Sequence, residues 1–255
     1  FGAVSMRDDG AGDDLLAGDG VYTGTIPGQT NGALVAFNIQ AADQFAAPGT
    51  TVFPSGTPAR ECLVRVGETS PAGQLGVYHL WLTASSVNGW ASREKMSNED
   101  LDGTFVYGSS RIIYNAGAHY SGSSYTAPTY NSPVGDLCGY DINFLSDGSV
   151  LGETHFTLDW PIRDATNQRE QLMFWFLEQY GLPNMYRRYV QMFVNGARRG
   201  TIYDDVQQPS GGAIEEYFPD DADGSLWKTD CWNEFDDAGN RVDPCVLNSL
   251  ELFTS

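Results

Sequence analysis

The chain has 255 residues, and 33 acidic against 14 basic side chains give it a formal net charge of −19. Because 41% of its residues are hydrophobic and 13% aromatic, the composition excludes a disordered acidic tail. The acidity disfavours nucleic-acid binding, which needs a cationic face. The sequence has no signal-peptide pattern, and none of its apolar runs approaches the ~18 residues that span a bilayer.

The negative charge is concentrated towards the two ends. Residues 1–59 carry six acids and one base, residues 60–200 fourteen and eleven, and residues 201–255 thirteen and two. The chain opens at Phe1 and its first methionine is Met6. We therefore expect a processed chain or a piece of a longer protein.

Four cysteines, Cys62, Cys138, Cys231 and Cys245, form no C-x-x-C pair, so a zinc ribbon or a thioredoxin-like motif is disfavoured. Their even number and the many Gly, Ser and Asn residues favour an exported protein. A bridge between Cys231 and Cys245 would close a loop of about 15 residues and stabilise the fold by about 3 kcal/mol. Four buried free thiols are the alternative.

The first part of the chain has a β pattern. Residues 21–26 and 34–39 alternate between apolar and polar around Gly- and Asn-rich turns. Two or three strands cannot close a sandwich. Residues 1–47 are therefore predicted to be the end of a β-sandwich module, and residues 48–74 a linker.

The next segment has strand patterns at five places, namely 77–84, 103–107, 111–120, 140–145 and 155–160. A helix is predicted over 168–180, with Asp164 or Asn167 as its cap and Gly181 at its end. Its apolar face is predicted to pack against a sheet. The side chains on that face are Leu172, Met173, Trp175, Phe176, Leu177 and Tyr180.

A hairpin is predicted from strands over 189–194 and 197–203, joined by Asn195 and Gly196. Asn-Gly is the preferred pair for a type I′ turn. A sheet, a crossing helix and a further hairpin predict an α+β fold.

Two acidic segments are candidate calcium sites, because Ca²⁺ prefers six to eight oxygen ligands. In the first, the candidates are Asp8, Asp9, Asp13, Asp14 and Asp19. In the second, Asp221 and Asp223 fall at positions 3 and 5 of an EF-hand-like loop, but Pro219 takes position 1. Carboxylates in solvated turns are the alternative at both segments.

The three histidines, His79, His119 and His155, are far apart in the sequence and lie in strand patterns. They would form a metal site only if the fold brings them together, and a structural role is the alternative. The sequence contains no Gly-x-Ser-x-Gly or His-Glu-x-x-His motif that would indicate a hydrolase.

A loop of small residues, 117–125, follows a predicted strand. Its backbone N–H groups and hydroxyls could contact phosphate oxygens, with an ordinary β-turn as the alternative. It is not a Walker loop, because no Gly-Lys-Ser/Thr follows.

The order of strand, Ser/Gly loop, strand and helix, followed by Val190-Gln-Met-Phe-Val-Asn-Gly-Ala-Arg-Arg-Gly-Thr-Ile-Tyr203 and Asp-Gly-Ser-Leu-Trp-Lys228, resembles the spore-coat protein H (CotH) kinase family. The Asp/Gly-rich start is similar to the end of the Ig- or fibronectin-like modules that precede such domains. The resemblance implies a large exported bacterial protein, located outside the cell or at its surface.

The resemblance implies a kinase-like N-terminal lobe over 75–235, made of an antiparallel sheet plus one main helix after a partial β-sandwich segment. Residues 236–255 would then begin the C-terminal lobe. The whole protein would use ATP and Mg²⁺ to phosphorylate Ser residues of surface or coat proteins. The residues that would cover the nucleotide are Tyr120, Ser121, Gly122, Ser123 and Ser124.

Where the family has a phosphate-pairing Lys, this chain has Asp136-Leu-Cys-Gly-Tyr140, and no catalytic acid can be carried over. Phosphoryl transfer depends on cationic positioning, so the chain is predicted to be inactive alone. A non-catalytic structural or adhesive surface protein with calcium-binding acidic turns is the alternative function.

Overall fold

A computed structural model describes most of the chain. It covers residues 2–45, 47–122, 126–144, 148–161, 164–209, 211–221, 223, 226–230, 234–243 and 249–253.

Fifteen strands and three α-helices are assigned in these ranges. The strands are β1 Leu34–Phe37, β2 Ile39–Ala42, β3 Thr50–Phe53, β4 Cys62–Arg65, β5 Gly76–Trp81, β6 Leu101–Tyr107, β7 Arg111–Ser121, β8 Gly139–Asn143, β9 His155–Asp159, β10 Arg187–Val194, β11 Ala197–Val206, β12 Leu226–Asp230, β13 Glu234–Phe235, β14 Arg241–Asp243 and β15 Ser249–Phe253. The helices are α1 Ala84–Ser92, α2 Arg169–Gln179 and α3 Gly211–Tyr217.

Seven strands form a closed barrel in the order β10-β11-β9-β8-β7-β6-β5. Neighbouring strands are antiparallel except at the closure, where β5 and β10 pair in parallel with Gly76 opposite Val190 and Leu80 opposite Val194. The predicted α+β fold, a kinase-like lobe with an antiparallel sheet plus one main helix, is therefore wrong. The described residues are mostly β: the sheet closes into a barrel, and the three helices are short.

Aromatic side chains fill the barrel. Tyr78, Phe105, Tyr140, Phe156 and Tyr203 are each at most 1% exposed. The ring of Tyr78 lies 5.3 Å from the rings of both Phe105 and Phe156. Because these inward residues alternate with outward ones along each strand, the barrel presents fixed rows of side chains to its exterior.

The predicted strands and hairpin of this region are present, although the strand predicted over 77–84 ends at Trp81 and Ala84 begins α1. The turn residues Asn195 and Gly196 have φ values of +48° and +80°, as the Asn-Gly pair requires. A Cβ at position 196 would lie 2.3 Å from the guanidinium carbon of Arg65, but this is the end of a flexible side chain that can move, so glycine is favoured there by the backbone conformation.

The N-terminal strands pair with strands of the predicted linker. β1 is antiparallel to β4, and β2 to β3. The predicted segment boundaries at residues 47, 74 and 235 stay predictions.

The helix predicted over 168–180 exists as α2, but its predicted packing is wrong. None of its residues is buried, and Leu172, Met173, Trp175 and Phe176 are 45–60% exposed. The half-buried stripe is instead Gln171, Phe174 and Leu177. The N-cap residue is Gln168 rather than the predicted Asp164 or Asn167, but Asp164 Oδ2 accepts from the backbone N–H groups of residues 168 and 169 at 2.8 and 2.7 Å.

Cys62 and Cys138 are buried free thiols. Burial, with a smaller contribution from the charge of Asp102, raises the pKa of Cys62 to about 11. Both thiols therefore fill space in the core, whereas Cys231 and Cys245 lie outside the described residues. Among the described residues, no helix is long and apolar enough to span a membrane.

The closure of the barrel gives a first prediction. Asn195 extends the parallel pairing beyond β10, since its Oδ1 accepts from the backbone N–H of Leu82 at 2.8 Å and its Nδ2 donates to the Leu82 carbonyl at 3.0 Å. Asn195→Ala loses both bonds and places Ala at positive φ, so we expect urea unfolding to show a loss of about 2–3 kcal/mol.

The matched variant Asn195→Gly loses the same bonds but tolerates positive φ. The unfolding free energy of Asn195→Gly should therefore be about 1 kcal/mol higher than that of Asn195→Ala. Unfolding curves for both variants that overlay the parent curve would contradict this role of Asn195.

Candidate functional site

A row of polar side chains crosses the outside of the barrel on β7, β8 and β9. His119 lies directly opposite Asp141 in the β7–β8 pairing. His155 lies diagonally across from Asp141 in the β8–β9 pairing. The Nε2 atoms of His155 and His119 are 2.6 and 3.9 Å from Asp141 Oδ1. One carboxylate therefore lies between two imidazoles.

A loop residue adds a second carboxylate to this row. Asp100 Oδ1 lies 2.8 Å from His119 Nδ1, and both Asp100 oxygens accept from Asn143 Nδ2 at 3.1 and 3.2 Å. A Cβ at Gly117 would lie 2.5–2.7 Å from three atoms of the Asp100 side chain. Glycine at 117 therefore makes the space that Asp100 occupies.

The charges of this row shift its pKa values. Burial lowers the pKa of His155, but the hydrogen bond to Asp141 and the charges of Asp141, Asp100 and Glu153 raise it above its usual value overall. Burial raises the pKa of Asp141, but the hydrogen bond from His155 and the charge of His119 lower it overall. Both shifts favour the ion pair between Asp141 and His155.

A structural role is the alternative for all three histidines, and the fold separates His79 from His119 and His155. His79 is 2% exposed, and its ring nitrogens are within hydrogen-bond distance of Glu68 and Ser70. His119 and His155 meet at Asp141 only because β8 lies between β7 and β9. The alternation in these strands marked the outward positions, but strand order was needed to join them.

The first acidic segment places three of its five predicted carboxylates together. Ligand atoms of Asp8, Asp14 and Asp19 all lie within 4.8 Å of one another. Asp9 forms a 3.8 Å ion pair with Arg7, and Asp13 accepts from a threonine hydroxyl, that of Thr25, at 3.0 Å. Neither joins the group.

Backbone N–H groups already contact the three clustered carboxylates. Asp8 accepts from the N–H groups of Gly18 and Gly20 at 2.5 and 3.0 Å, Asp14 from that of Gly10 at 2.6 Å, and Asp19 from that of Val21 at 2.9 Å. Calcium at this turn stays a prediction. In the second acidic segment, Asp221 and Asp223 are exposed.

The predicted nucleotide loop is only partly described, since Ser123 and Ser124 lie outside the described residues. Tyr120 is 4% exposed and its ring packs 4.6 Å from that of Trp90. Ser121 Oγ donates to Asp159 Oδ1 at 3.2 Å, and Gly122 has φ +147°. A carboxylate beside Ser121 would repel a phosphate. ATP and Mg²⁺ binding stays a prediction.

Polar contacts attach α2 to the barrel. Gln171 Nε2 donates to Asp204 Oδ1 at 2.9 Å, and Asp204 is 3% exposed. Burial raises the pKa of Asp204, although the hydrogen bond from Gln171 opposes this. Arg187 pairs with Glu170 at 2.5 Å and its guanidinium lies 4.8 Å from the Phe174 ring. These contacts determine which side of α2 faces the barrel.

A groove of about 280 Å³ runs beside α2. Its apolar walls come from Phe174, Trp175, Met185, Tyr186 and Tyr217, and its acidic groups are Glu178 and Glu216. The ring of Trp175 packs edge-on to that of Phe176, with centroids 5.2 Å apart. The groove therefore continues onto the exposed aromatic residues of α2, and its charged lining consists of Glu178, Glu216 and Arg187.

Comparison of the sequence with protein-family models and with curated proteins finds no match. The resemblance to CotH kinases therefore stays a prediction.

The polar row predicts a pH dependence of stability in the presence of EDTA. Because the pKa of His155 is raised in the folded state, its contribution is present below the unfolded pKa and is lost as pH rises through the folded pKa. The His155→Gln variant should lose more unfolding free energy near pH 5.5 than near pH 8.5, values on either side of the ordinary histidine pKa of about 6.5. Equal losses at both pH values, measured by urea unfolding, would disprove the ion pair.

The acidic turn predicts a calcium response. A ligand at 100 times its Kd adds about 2.7 kcal/mol to stability, so saturating CaCl₂ should raise the melting temperature above its value in EDTA. Mg·ATP should leave it unchanged, and Asp14→Asn should remove the calcium effect. The control Asp43→Asn, an exposed carboxylate outside the cluster, should retain it. A parent protein that responds to Mg·ATP but not to calcium would reverse the assignment.

Proposed function

We propose that this chain is a non-catalytic binding module of an exported bacterial protein, and that it binds a polypeptide of the cell surface or coat through the outward side of α2. The observation that carries the proposal is the exposure of α2. Its four outward apolar side chains are 45–60% exposed, whereas the apolar residues of the barrel strands are mostly buried. Exposed apolar groups of this size mark interaction sites.

The exposed apolar side chains continue past the end of the helix. Tyr180 is 77% exposed and Leu182 49% exposed. Aromatic residues and methionine are enriched at protein interfaces, and aromatic anchors supply much of the binding energy. A helix with anchors at successive turns beside a groove suits a partner segment that lies along it.

The charge of the module selects the kind of partner. Glu178 and Glu216 lie at the groove, the Arg187 guanidinium there is paired with Glu170, and the whole chain carries −19. A second copy of the chain would be repelled by the same charge. The proposed partner segment therefore combines apolar side chains with Lys or Arg.

Two features support a non-catalytic role. The family's phosphate-pairing Lys has no counterpart in Asp136-Leu-Cys-Gly-Tyr140. The side chain of Ser121, in the predicted nucleotide loop, is hydrogen-bonded to a carboxylate. Both features oppose the cationic positioning on which phosphoryl transfer depends.

The proposal predicts the behaviour of a charge-neutral double variant, Met173→Ser with Phe176→Ser. The probe is an amphipathic peptide of Leu and Lys, with a Leu and Glu peptide of equal length as the comparison. The parent protein should bind the Lys peptide saturably and the Glu peptide much more weakly. The double variant should bind the Lys peptide at least about tenfold more weakly, a loss of about 1.4 kcal/mol, as measured by calorimetry.

The matched control is Leu15→Ser with Leu16→Ser, which removes two exposed apolar side chains outside α2. This control should bind like the parent protein. Equal weakening in both double variants would show that the peptide responds to general hydrophobicity. Concentration-dependent dimerisation at about 0.1 M salt that is lost only in the α2 variant would assign α2 to a second copy and contradict the proposal.

A further inference from the structure

We propose that His119, Asp141 and His155 bind a divalent transition metal of the zinc class on the outside of the barrel. This site is separate from α2. Imidazole and carboxylate together are typical ligands of Zn²⁺. With three protein ligands, a fourth position remains for water.

The barrel supplies these three ligands from adjacent strands. His119 is on β7, Asp141 on β8 and His155 on β9, and the registers place them side by side. Their neighbours in sequence, including Ala118, Tyr140 and Phe156, are buried in the core. The three polar side chains therefore face outwards from a rigid part of the fold.

The distances are close to those of a metal shell. Ligand atoms about 2.1 Å from a tetrahedral Zn²⁺ lie roughly 3.4 Å apart. The two imidazole-to-carboxylate distances, 2.6 and 3.9 Å, lie on either side of this value. Each of these two histidine–aspartate pairs needs to change by less than about 1 Å to reach that separation.

Rotation of the His155 side chain would bring the three metal ligands together. Among the described residues, the acidic turn is the only group of three whose ligand atoms all lie within 4.8 Å of one another, so the two imidazoles must approach each other. His155 has the most exposed side chain of the three, at 34% against 12% for His119 and 17% for Asp141. It is therefore the ligand with room to turn towards the ion.

Asp100 orients His119 for this role. With the His119 proton on Nδ1, donated to Asp100, Nε2 presents its lone pair towards the Asp141 carboxylate. A lone pair and a carboxylate oxygen that face each other are both satisfied by a cation between them. A carboxylate on the far nitrogen of a metal-binding histidine is the usual second-shell arrangement, and Gly117 makes the space for it.

The third histidine does not compete. The chain has three histidines, and His79 is buried with both ring nitrogens occupied by Glu68 and Ser70. A metal ion that binds histidine in the folded chain must therefore be bound by His119 and His155.

The test is a titration of the full chain with Zn²⁺ by calorimetry and with Co²⁺ by absorption, in excess Ca²⁺ to occupy any hard-cation site. We expect one equivalent of metal to bind, with a Co²⁺ spectrum of nitrogen and oxygen ligation. His119→Gln and His155→Gln should each weaken binding about 100-fold or more. Asp100→Asn should weaken it about 10- to 100-fold, and Asp43→Asn should leave it unchanged.

Three results would overturn the proposal. The first is no saturable binding of Zn²⁺ below about 1 mM. The second is undiminished binding in the His119→Gln, His155→Gln double variant. The third is a Co²⁺ spectrum with thiolate charge-transfer bands, which would place the metal on cysteines. Circular dichroism melting of each variant in EDTA checks that loss of binding is not loss of folding.

Discussion

The parallel pairing of β5 with β10 joins two segments that are far apart in the chain, and it converts an open sheet into a barrel. Leu82 and Asn195, which extend this pairing, are separated by 113 positions. Bringing them together costs loop-closure entropy, which the aromatic interior offsets when Tyr78 packs on Phe105 and Phe156. Closure also leaves these barrel strands with no unpaired edge.

Closure determines what the exterior can present. Once the register of β7, β8 and β9 is fixed by buried side chains such as Ile142 and Phe156, the alternate positions point outwards in a fixed arrangement. His119, Asp141 and His155 occupy such positions. Helix α2 contacts the barrel at β10 and, through Asp204, at β11, whereas the three polar residues are on β7, β8 and β9. The two proposed binding surfaces thus lie on different strands of one scaffold.

Local features were predictable from the sequence, and long-range ones were not. The alternation of the barrel strands and the Asn195-Gly196 turn are local chemistry, so the strands and the hairpin were predicted at nearly the observed positions. Parallel closure has no local signal, so the sheet was assigned to the wrong fold class. The polar row forms only because β7, β8 and β9 are neighbours in the barrel. The sequence does not show this strand order, so it does not predict that His119 and His155 lie close together.

The orientation of α2 illustrates the same limit. The helix is apolar on more than one side, with Phe174 and Leu177 on one side and Met173 and Phe176 on the other, so periodicity alone did not identify the buried face. Contacts with Asp204 and Arg187, which belong to strands β11 and β10, decided it. A helix pattern without one narrow apolar stripe should therefore be read as having two possible faces.

The exposed side of α2 on a chain of charge −19 has a consequence for how ionic strength controls association. Electrostatic repulsion between two copies acts over about 10 Å at 0.1 M salt and about 3 Å at 1 M, whereas apolar attraction between exposed aromatic rings persists in salt. In dilute buffer the charge keeps the copies apart and draws in basic segments. In concentrated salt, both the repulsion between copies and the attraction of basic segments are screened. The same surface then no longer prefers a basic partner and can bind a second copy of the chain.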